Sequence, residues 1–426
     1  MPIPLPRMAR WRFLPVCPLS TTGGTGRCAT RPQVELRSFS DLKDSRLSKL
    51  MADNQILKPT SCVRLSKRQE TAMPGSVLVC GGAVLDCIVR PFDQKQVGAS
   101  RTSMPGEAKL SQGGVGRNLA EVSSRLGCRV HFLSAVAADE PGRQLLNHCR
   151  QLGIQVEDVA VLEEPNRTAS YTALLDGTGE LVGAVADMAI LDAIQPELLT
   201  QRCRSLEGVA LVLCEANLSR EALTAALKAC QGPVWFDPVS TAKAPRGVQS
   251  LPWQLAAPNW DELLAMLGRS PQPLEWQDDV TLPAEALEAL SEALVPGFGL
   301  AERVLLSLGP HGCILAPAMA HVQGLDAVEV SSEAPKLNVE VQMLEFKGAH
   351  GTSQLLWYRV ARQQQVRDVT GCGDALLAAT AAGYAQGWAL EEAVLLGLAA
   401  AHATLFVDGI CRLGPELLQK VRRSRL

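Results

Sequence analysis

Asp368-Val369-Thr370-Gly371-Cys372-Gly373-Asp374 is a run of small and acidic residues that passes directly into Ala375-Leu376-Leu377-Ala378-Ala379. Ala and Leu are strong helix formers, so the spacing predicts a helix opening at 373 and running to 385. Glycines at 371 and 373 let an anion approach the backbone, and the N–H groups of the first helical turn, with the helix dipole, favour one there. Asp374 sits at the same helix start, where a carboxylate is placed to take the proton of a hydroxyl nucleophile. As helix geometry alone, the pattern is also an acidic first turn after a glycine bend. A second apolar helix is expected over 390–406.

Far upstream, Gln112-Gly113-Gly114-Val115-Gly116-Arg117-Asn118 makes another glycine turn before a helical pattern at 115–126, closed by Gly127. Asn118 offers both a donor and an acceptor from the first turn of that helix, whereas Arg117 is open between a solvated helix residue and a functional one. The dinucleotide fingerprint is not met, because Leu119 stands where its third glycine belongs, and no GxxxxGK[ST] occurs. Before and between the two turns, strand patterns at 77–80, 130–136, 209–213, 234–236, 255–258 and 304–307 alternate with helical patterns at 142–152, 220–230, 260–267 and 284–294. Such alternation predicts an α/β fold with a mostly parallel sheet covered on both faces, its site at the carboxyl ends of the strands. Alternating runs at 168–175 and 181–186, joined by Asp176-Gly177-Thr178-Gly179, read as a hairpin projecting as a small lid. Over 317–367 only weak strand patterns appear, at 327–330, 339–344 and 355–360.

The 426 residues include 41 Lys+Arg, 44 Asp+Glu and 47% hydrophobic residues, for a net charge of −3. This balance gives no general case for nucleic-acid binding. The charge is uneven: residues 1–75 carry 13 basic and 5 acidic side chains, and the first 34 carry five arginines and no acid. Residues 1–75 therefore read as a disordered basic extension, residues 1–34 as either a mitochondrial targeting segment or an untargeted tail, and 421–426 as a basic tail. The 13 cysteines show no CxxC pair and the six histidines no HxxxH spacing, so reduced thiols and neither a disulfide framework nor a structural zinc site are expected. No run of about 18 apolar residues predicts a membrane span.

The two glycine turns together, early with Asn118 and late with Asp374, resemble the signatures of the ribokinase-like (PfkB) family of carbohydrate and nucleoside kinases, over about residues 76–420. The resemblance implies a three-layer sandwich with a small β lid drawn from about 87–110 and 168–186. It implies Asp374 as general base and the backbone N–H groups of Gly371, Cys372 and Gly373 as an anion hole. For substrate it implies Asp86, Gly114, Asn118, Thr168 and Asp187, and for ATP Asn259, Gly309 and Gly312. Glu262, in Asn259-Trp260-Asp261-Glu262, matches the position that organises Mg²⁺ through water, and Asp368 and Thr370 match a monovalent-cation position, K⁺ in this reading. Arg117 within the first signature, Arg167-Thr168-Ala169-Ser170-Tyr171, Ala186-Asp187-Met188 and Trp235-Phe236-Asp237-Pro238 resemble the pseudouridine kinases of the family. The implied reaction is ATP-dependent phosphorylation of the 5′-hydroxyl of pseudouridine in a cytoplasmic enzyme, mitochondrial if residues 1–34 act in transit, with a homodimer paired through the lid. Another sugar or nucleoside kinase, ribokinase among them, and a silent nucleoside-binding protein remain open. Cys372 departs from the family's usual alanine. At a helix start its pKa is expected to fall, making it a site for oxidation.

Overall fold

The computed structural model describes residues 75–92, 103–176, 181–249, 251–294, 299–348, 351–363 and 365–424. All lie within the compact unit Val63–Leu426. The expected extension up to residue 74, the hairpin turn at 177–180, residues 93–102 of the first lid segment and the last two residues of the expected tail lie outside the described residues.

β1 (Ser76–Cys80) is buried throughout and turns through Gly81-Gly82 into β2 (Val84–Pro91) and β3 (Gly106–Gly113). α1 (Val115–Arg125) leads to β4 (Arg129–Ala137), and α2 (Glu140–Gln151) to β5 (Val159–Leu162). β6 (Ser170–Leu175), β7 (Leu181–Asp187), α3 (Pro196–Ser205), β8 (Leu211–Glu215), α4 (Arg220–Ala229) and β9 (Val234–Asp237) follow. Next come β10 (Leu255–Ala256), α5 (Trp260–Met266), α6 (Ala284–Ala293), β11 (Val304–Ser307) and β12 (Cys313–Ala316). β13 (Leu325–Val328), β14 (Leu337–Gly348) and β15 (Gly351–Val360) precede three closing helices, α7 (Cys372–Ala385), α8 (Leu390–Thr404) and α9 (Glu416–Arg423).

Among the described residues, eleven strands form one sheet in the order β13-β14-β15-β12-β11-β10-β9-β8-β1-β4-β5. Its pairs from β11 to β5 are parallel and those from β13 to β11 antiparallel. α1, α2, α7, α8 and α9 cover one face, and α3 to α6 the other. This is the three-layer, mostly parallel α/β architecture the pattern predicts. The chain steps from β1 towards β4 on one side and from β8 towards β9 on the other. Neighbouring strands whose connections depart to opposite faces leave a crevice at their carboxyl ends. That crevice lies beside Gly81-Gly82 and Glu215. The small sheet, in the order β3-β2-β6-β7, follows β1 where the lid is expected.

Several elements differ from the pattern-based expectation. The first lid segment is two paired strands, β2 and β3, in register from Val84↔Gly113 to Pro91↔Gly106. β8 begins two residues later than expected and ends in the fully buried Glu215. β12 is four apolar residues, too short to register as a pattern. α9 runs through the boundary drawn at 420, because Val421 is wholly buried against the core. Cys203 and Cys230, expected as free thiols, are disulfide-bonded with Cα atoms 4.8 Å apart, linking the last turns of α3 and α4. No helix among the described residues is long and apolar enough to cross a membrane.

A part-buried ion pair ties the segment after β12 to the helical layer. Glu391, in the first turn of α8, accepts from Arg303 Nη2 at 2.6 Å and from the Met319 N–H at 2.9 Å, while Arg303 Nε donates to the Pro317 carbonyl at 3.0 Å. Removing one partner of such a pair strands the other, so Glu391→Ala is expected to destabilise the fold by about 3 kcal/mol, read from the urea midpoint. Glu391→Gln, which keeps the acceptor, is expected to lose less.

Candidate active site

Two glycine turns 256 residues apart in sequence meet here. Asn118 Nδ2 donates to Asp374 Oδ2 at 2.6 Å. Asn118 is delivered by the first turn of α1 and Asp374 by the first turn of α7. α7 has Gly371 as its N-cap, at φ 80°, with no side chain capping it. Its opening N–H groups have no carbonyl a turn behind them. A Cβ built on Gly373 meets nothing within 4 Å, so open space lies over the helix start. The Cys372 N–H donates to the Val369 carbonyl at 3.3 Å, which leaves Gly371 and Gly373 as the freer donors of the expected anion hole.

Asp86 projects from β2 over the Cα of Gly113. Burial pushes its carboxyl from 3.8 up to about 6, Arg117 opposes the rise and Asp374 adds to it. Asp374 is itself raised by burial, against the pull of the Asn118 hydrogen bond and the Arg117 charge. Asp237, at the end of β9, and Glu262 are raised in the same way, and both are repelled by Asp374. Four carboxylates, Asp86, Asp237, Glu262 and Asp374, therefore crowd one crevice with Arg117 as the cation that eases Asp86 and Asp374.

The other expected residues divide. Asn259 and Glu262 form a reciprocal cap at the start of α5: Asn259 Oδ1 accepts from the Glu262 N–H and Glu262 Oε2 from the Asn259 N–H, both at 2.9 Å. One Glu262 oxygen is thus structural. Gly114 accepts from the Asn118 N–H at 2.8 Å and starts the turn of α1. Gly309 is exposed with open space at its Cα. Gly312, at φ 84°, lies against the Tyr358 carbonyl where a Cβ has no room, so β15 already requires that glycine. Thr168 is buried, donating its hydroxyl to Asp139 Oδ1 at 2.5 Å and accepting from the Ala137 N–H at 3.0 Å. It brackets the loop before β6 to the cap of α2. Asp187 stays on the lid beside Arg167 at 3.4 Å, and Asp368 turns its carboxylate onto the Thr370 N–H at 2.9 Å. No described contact joins Thr168, Asp187, Asp368 or Thr370 to Asp374.

Cys372 reverses the expectation of a reactive thiol. Burial pushes it up to about 12, and Asp368, Cys411 and Asp374 add to the shift. Iodoacetamide at neutral pH is expected to leave Cys372 unlabelled in the folded protein, as read by peptide mass spectrometry, and Cys372→Ala to keep full activity.

Sequence reasoning left several residues without a role. Glu215 accepts from the Gly82 and Asn217 N–H groups, each at 2.6 Å, and braces the turn from β1 into the lid. Lys243 reaches the Asn217 side chain beside it. Arg117, open between two readings, is buried. Asp237 stood in a quoted motif without an assignment. Among the described residues, no three His, Cys, Asp or Glu side chains converge as a metal-binding group.

The model of the pfkB family of carbohydrate kinases matches residues 76–333 and 348–413. The chain belongs to this family. β14 falls almost wholly between the two matched stretches. The chain is similar to the pseudouridine kinase of Escherichia coli, 37% identical over 168 residues, which are 39% of this chain and 52% of that protein. That match spans about half the bacterial relative. It is also similar to the pseudouridine kinase of Arabidopsis thaliana, 24% identical over 349 residues, covering 78% of this chain and 90% of that one. A solved Arabidopsis thaliana ribokinase, in complex with ribose and ATP, shares the fold at a TM-score of 0.55 and 18% identity, covering 82% of this chain and 99% of its own.

Proposed function

We propose that this family member transfers the terminal phosphoryl group of ATP to the 5′-hydroxyl of pseudouridine. The observation that carries the kinase reading is the Asn118–Asp374 hydrogen bond, which places a half-buried carboxylate at an uncapped helix start below open space. The substrate reading is supported by similarity to two pseudouridine kinases. Asp86 accepts hydroxyls of the sugar, as a carboxylate with four lone-pair sites does well. Asp374 takes the proton of the attacking hydroxyl. The N–H groups of Gly371 and Gly373 meet the transferring phosphoryl group, where preorganised donors stabilise developing charge. The lid of β2, β3, β6 and β7 keeps water from the crevice.

The oxygen-only donor set around Asp237 and Glu262, each raised first by burial and then by the charge of Asp374, fits Mg²⁺ held through water. Mg²⁺ bound there with ATP supplies charge neutralisation at the phosphates. Asp368 and Thr370, joined by the hydrogen bond from the Thr370 N–H to Asp368 Oδ1, are proposed to hold K⁺. A second copy of the chain is proposed to cover the lid, where Leu110, Leu181, Val182 and Val185 are each more than half exposed; sedimentation of the full chain reads this directly.

The test is ADP release with Mg-ATP against pseudouridine, uridine, adenosine, ribose and fructose, alongside Asp374→Ala. Turnover on pseudouridine that vanishes in the variant supports both substrate and base. Turnover on ribose alone keeps the kinase and discards the substrate. No turnover, with nucleosides still raising the melting temperature, makes the protein a silent binder.

A further inference from the structure

Asn118 has one amide oxygen and one NH₂ group on opposite arms. Exchanging them would turn an oxygen towards Asp374 and replace attraction by repulsion. The orientation is set from behind. Arg117, 3% exposed, donates Nη2 to Asn118 Oδ1 and Nε to the Gly113 carbonyl at 3.2 Å. Its Nη1 pairs with Glu121 Oε2 one turn along α1. Glu121 is in turn held on its other oxygen by Arg125, at 2.7–2.8 Å, and faced by His148 of α2 at 3.5 Å. An isolated buried guanidinium is costly, so Glu121 is what allows Arg117 to stay inside.

We propose that Arg117, anchored by Glu121, is a positioning residue that fixes the Asn118 amide so that it donates to Asp374. A planar five-donor fork grips a carbonyl, an amide oxygen and a carboxylate at once, which a lysine ammonium on a flexible stem does not reproduce. For its effect on turnover the inference rests on the phosphoryl-transfer reading; the orientation of Asn118 does not depend on it. The Arg117 charge and the Asn118 hydrogen bond both favour the ionised Asp374, while Asp86, Asp237 and Glu262 face the same carboxylate from β2, β9 and α5 and disfavour it.

Arg117→Met, Arg117→Lys and Glu121→Gln test this, each first checked for cooperative unfolding. Arg117→Met is expected to lower kcat by about 10²-fold, the scale of a misplaced catalytic group. KM for ATP is expected to stay within about twofold, and the acid limb of kcat to move to higher pH as Asp374 loses what keeps it ionised. Arg117→Lys is expected to restore the acid limb through its charge but only part of kcat. Glu121→Gln, which still accepts from Arg117, is expected to lose less than either. A crystal structure of Arg117→Met is expected to show Asn118 turned away from Asp374 on an unchanged backbone. Asn118 still donating to Asp374 there, or an unmoved kcat and acid limb, overturns the proposal. Where Arg117→Met does not fold, Arg117→Lys serves for both measurements. Where the wild type transfers phosphate to no acceptor, the kinase reading falls by itself, and the position of Asn118 in the variant crystal decides the inference.

Discussion

Asp374→Asn is expected to lower kcat by about 10²- to 10⁴-fold, the usual contribution of a general base, and to leave the fold at least as stable. The two halves of that expectation come from one feature. Asn is nearly isosteric with Asp and can still meet the Asn118 amide, so the packing at the start of α7 is kept. It removes a carboxylate whose pKa burial holds above its ordinary value. A carboxyl with a raised folded pKa contributes stability below its unfolded pKa and loses that contribution as pH rises through the folded value. Above its folded pKa the ionised Asp374 is a burden on the free protein, and the neutral amide lifts it. A melting temperature at pH 8 that is equal or higher, with turnover lost, is the signature of a functional group. A parallel fall in both would mark Asp374 as structural.

The same sign applies to Asp86, whose carboxyl moves from 3.8 to about 6 on folding. Without substrate, the protein is expected to be more stable near pH 5 than near pH 8, because stability falls as pH rises through 6. Substrate affinity is expected to run the other way, since the carboxylate proposed to accept sugar hydroxyls is lost as pH falls through 6. An acid limb in kcat/KM near pH 6, absent in Asp86→Asn, separates the two effects.

What could be read without coordinates was what the chain states locally. The glycine turns at 113–118 and 371–374 are contiguous, their helices open immediately after them, and their chemistry follows from residue type. The two readings of Arg117 could not be separated because burial is not a local property: the same Arg-Asn-Leu-Ala-Glu sequence is solvated on a surface helix and buried on one packed between β4 and α7. The Thr168–Asp139 hydrogen bond was hidden for a related reason, since the partners lie 29 residues apart. β14 shows how a strand hides. Leu337, Val339, Val341 and Met343 point to the face covered by α8, and Leu344 and Phe346 to the face covered by α6. Its apolar phase changes midway because the covering helix changes sides. Period-two reading then sees a short fragment at 339–344 where twelve residues form one strand.

Adjacent glycines in the first turn are expected to fail in opposite ways when changed to alanine. At Gly113, the atoms a new Cβ would meet are the two carboxylate oxygens and Cγ of Asp86, the movable end of one side chain. The methyl displaces that carboxylate from the crevice while the backbone keeps an ordinary conformation. Gly113→Ala should therefore unfold at nearly the wild-type denaturant concentration and bind substrate poorly. Losing two hydroxyl bonds to a charged acceptor, each worth about 1.5–3 kcal/mol, raises KM for the nucleoside by about 10²-fold or more. KM for ATP is expected to be unchanged, and Asp86→Asn to show the same kinetic pattern. At Gly114, φ is 93° and the Cβ would meet the Gly82 carbonyl oxygen and the Val84 nitrogen, both backbone. Neither can swing aside without moving β1 from α1, so Gly114→Ala is expected to destabilise the fold by about 1–3 kcal/mol through strain and overlap. Its kinetic losses should follow the fraction unfolded. Equal destabilisation in the two variants, with no selective rise in nucleoside KM at Gly113, would mean that Asp86 does not hold the substrate. The glycine pair would then serve only the close approach of α1 to the turn between β1 and the lid.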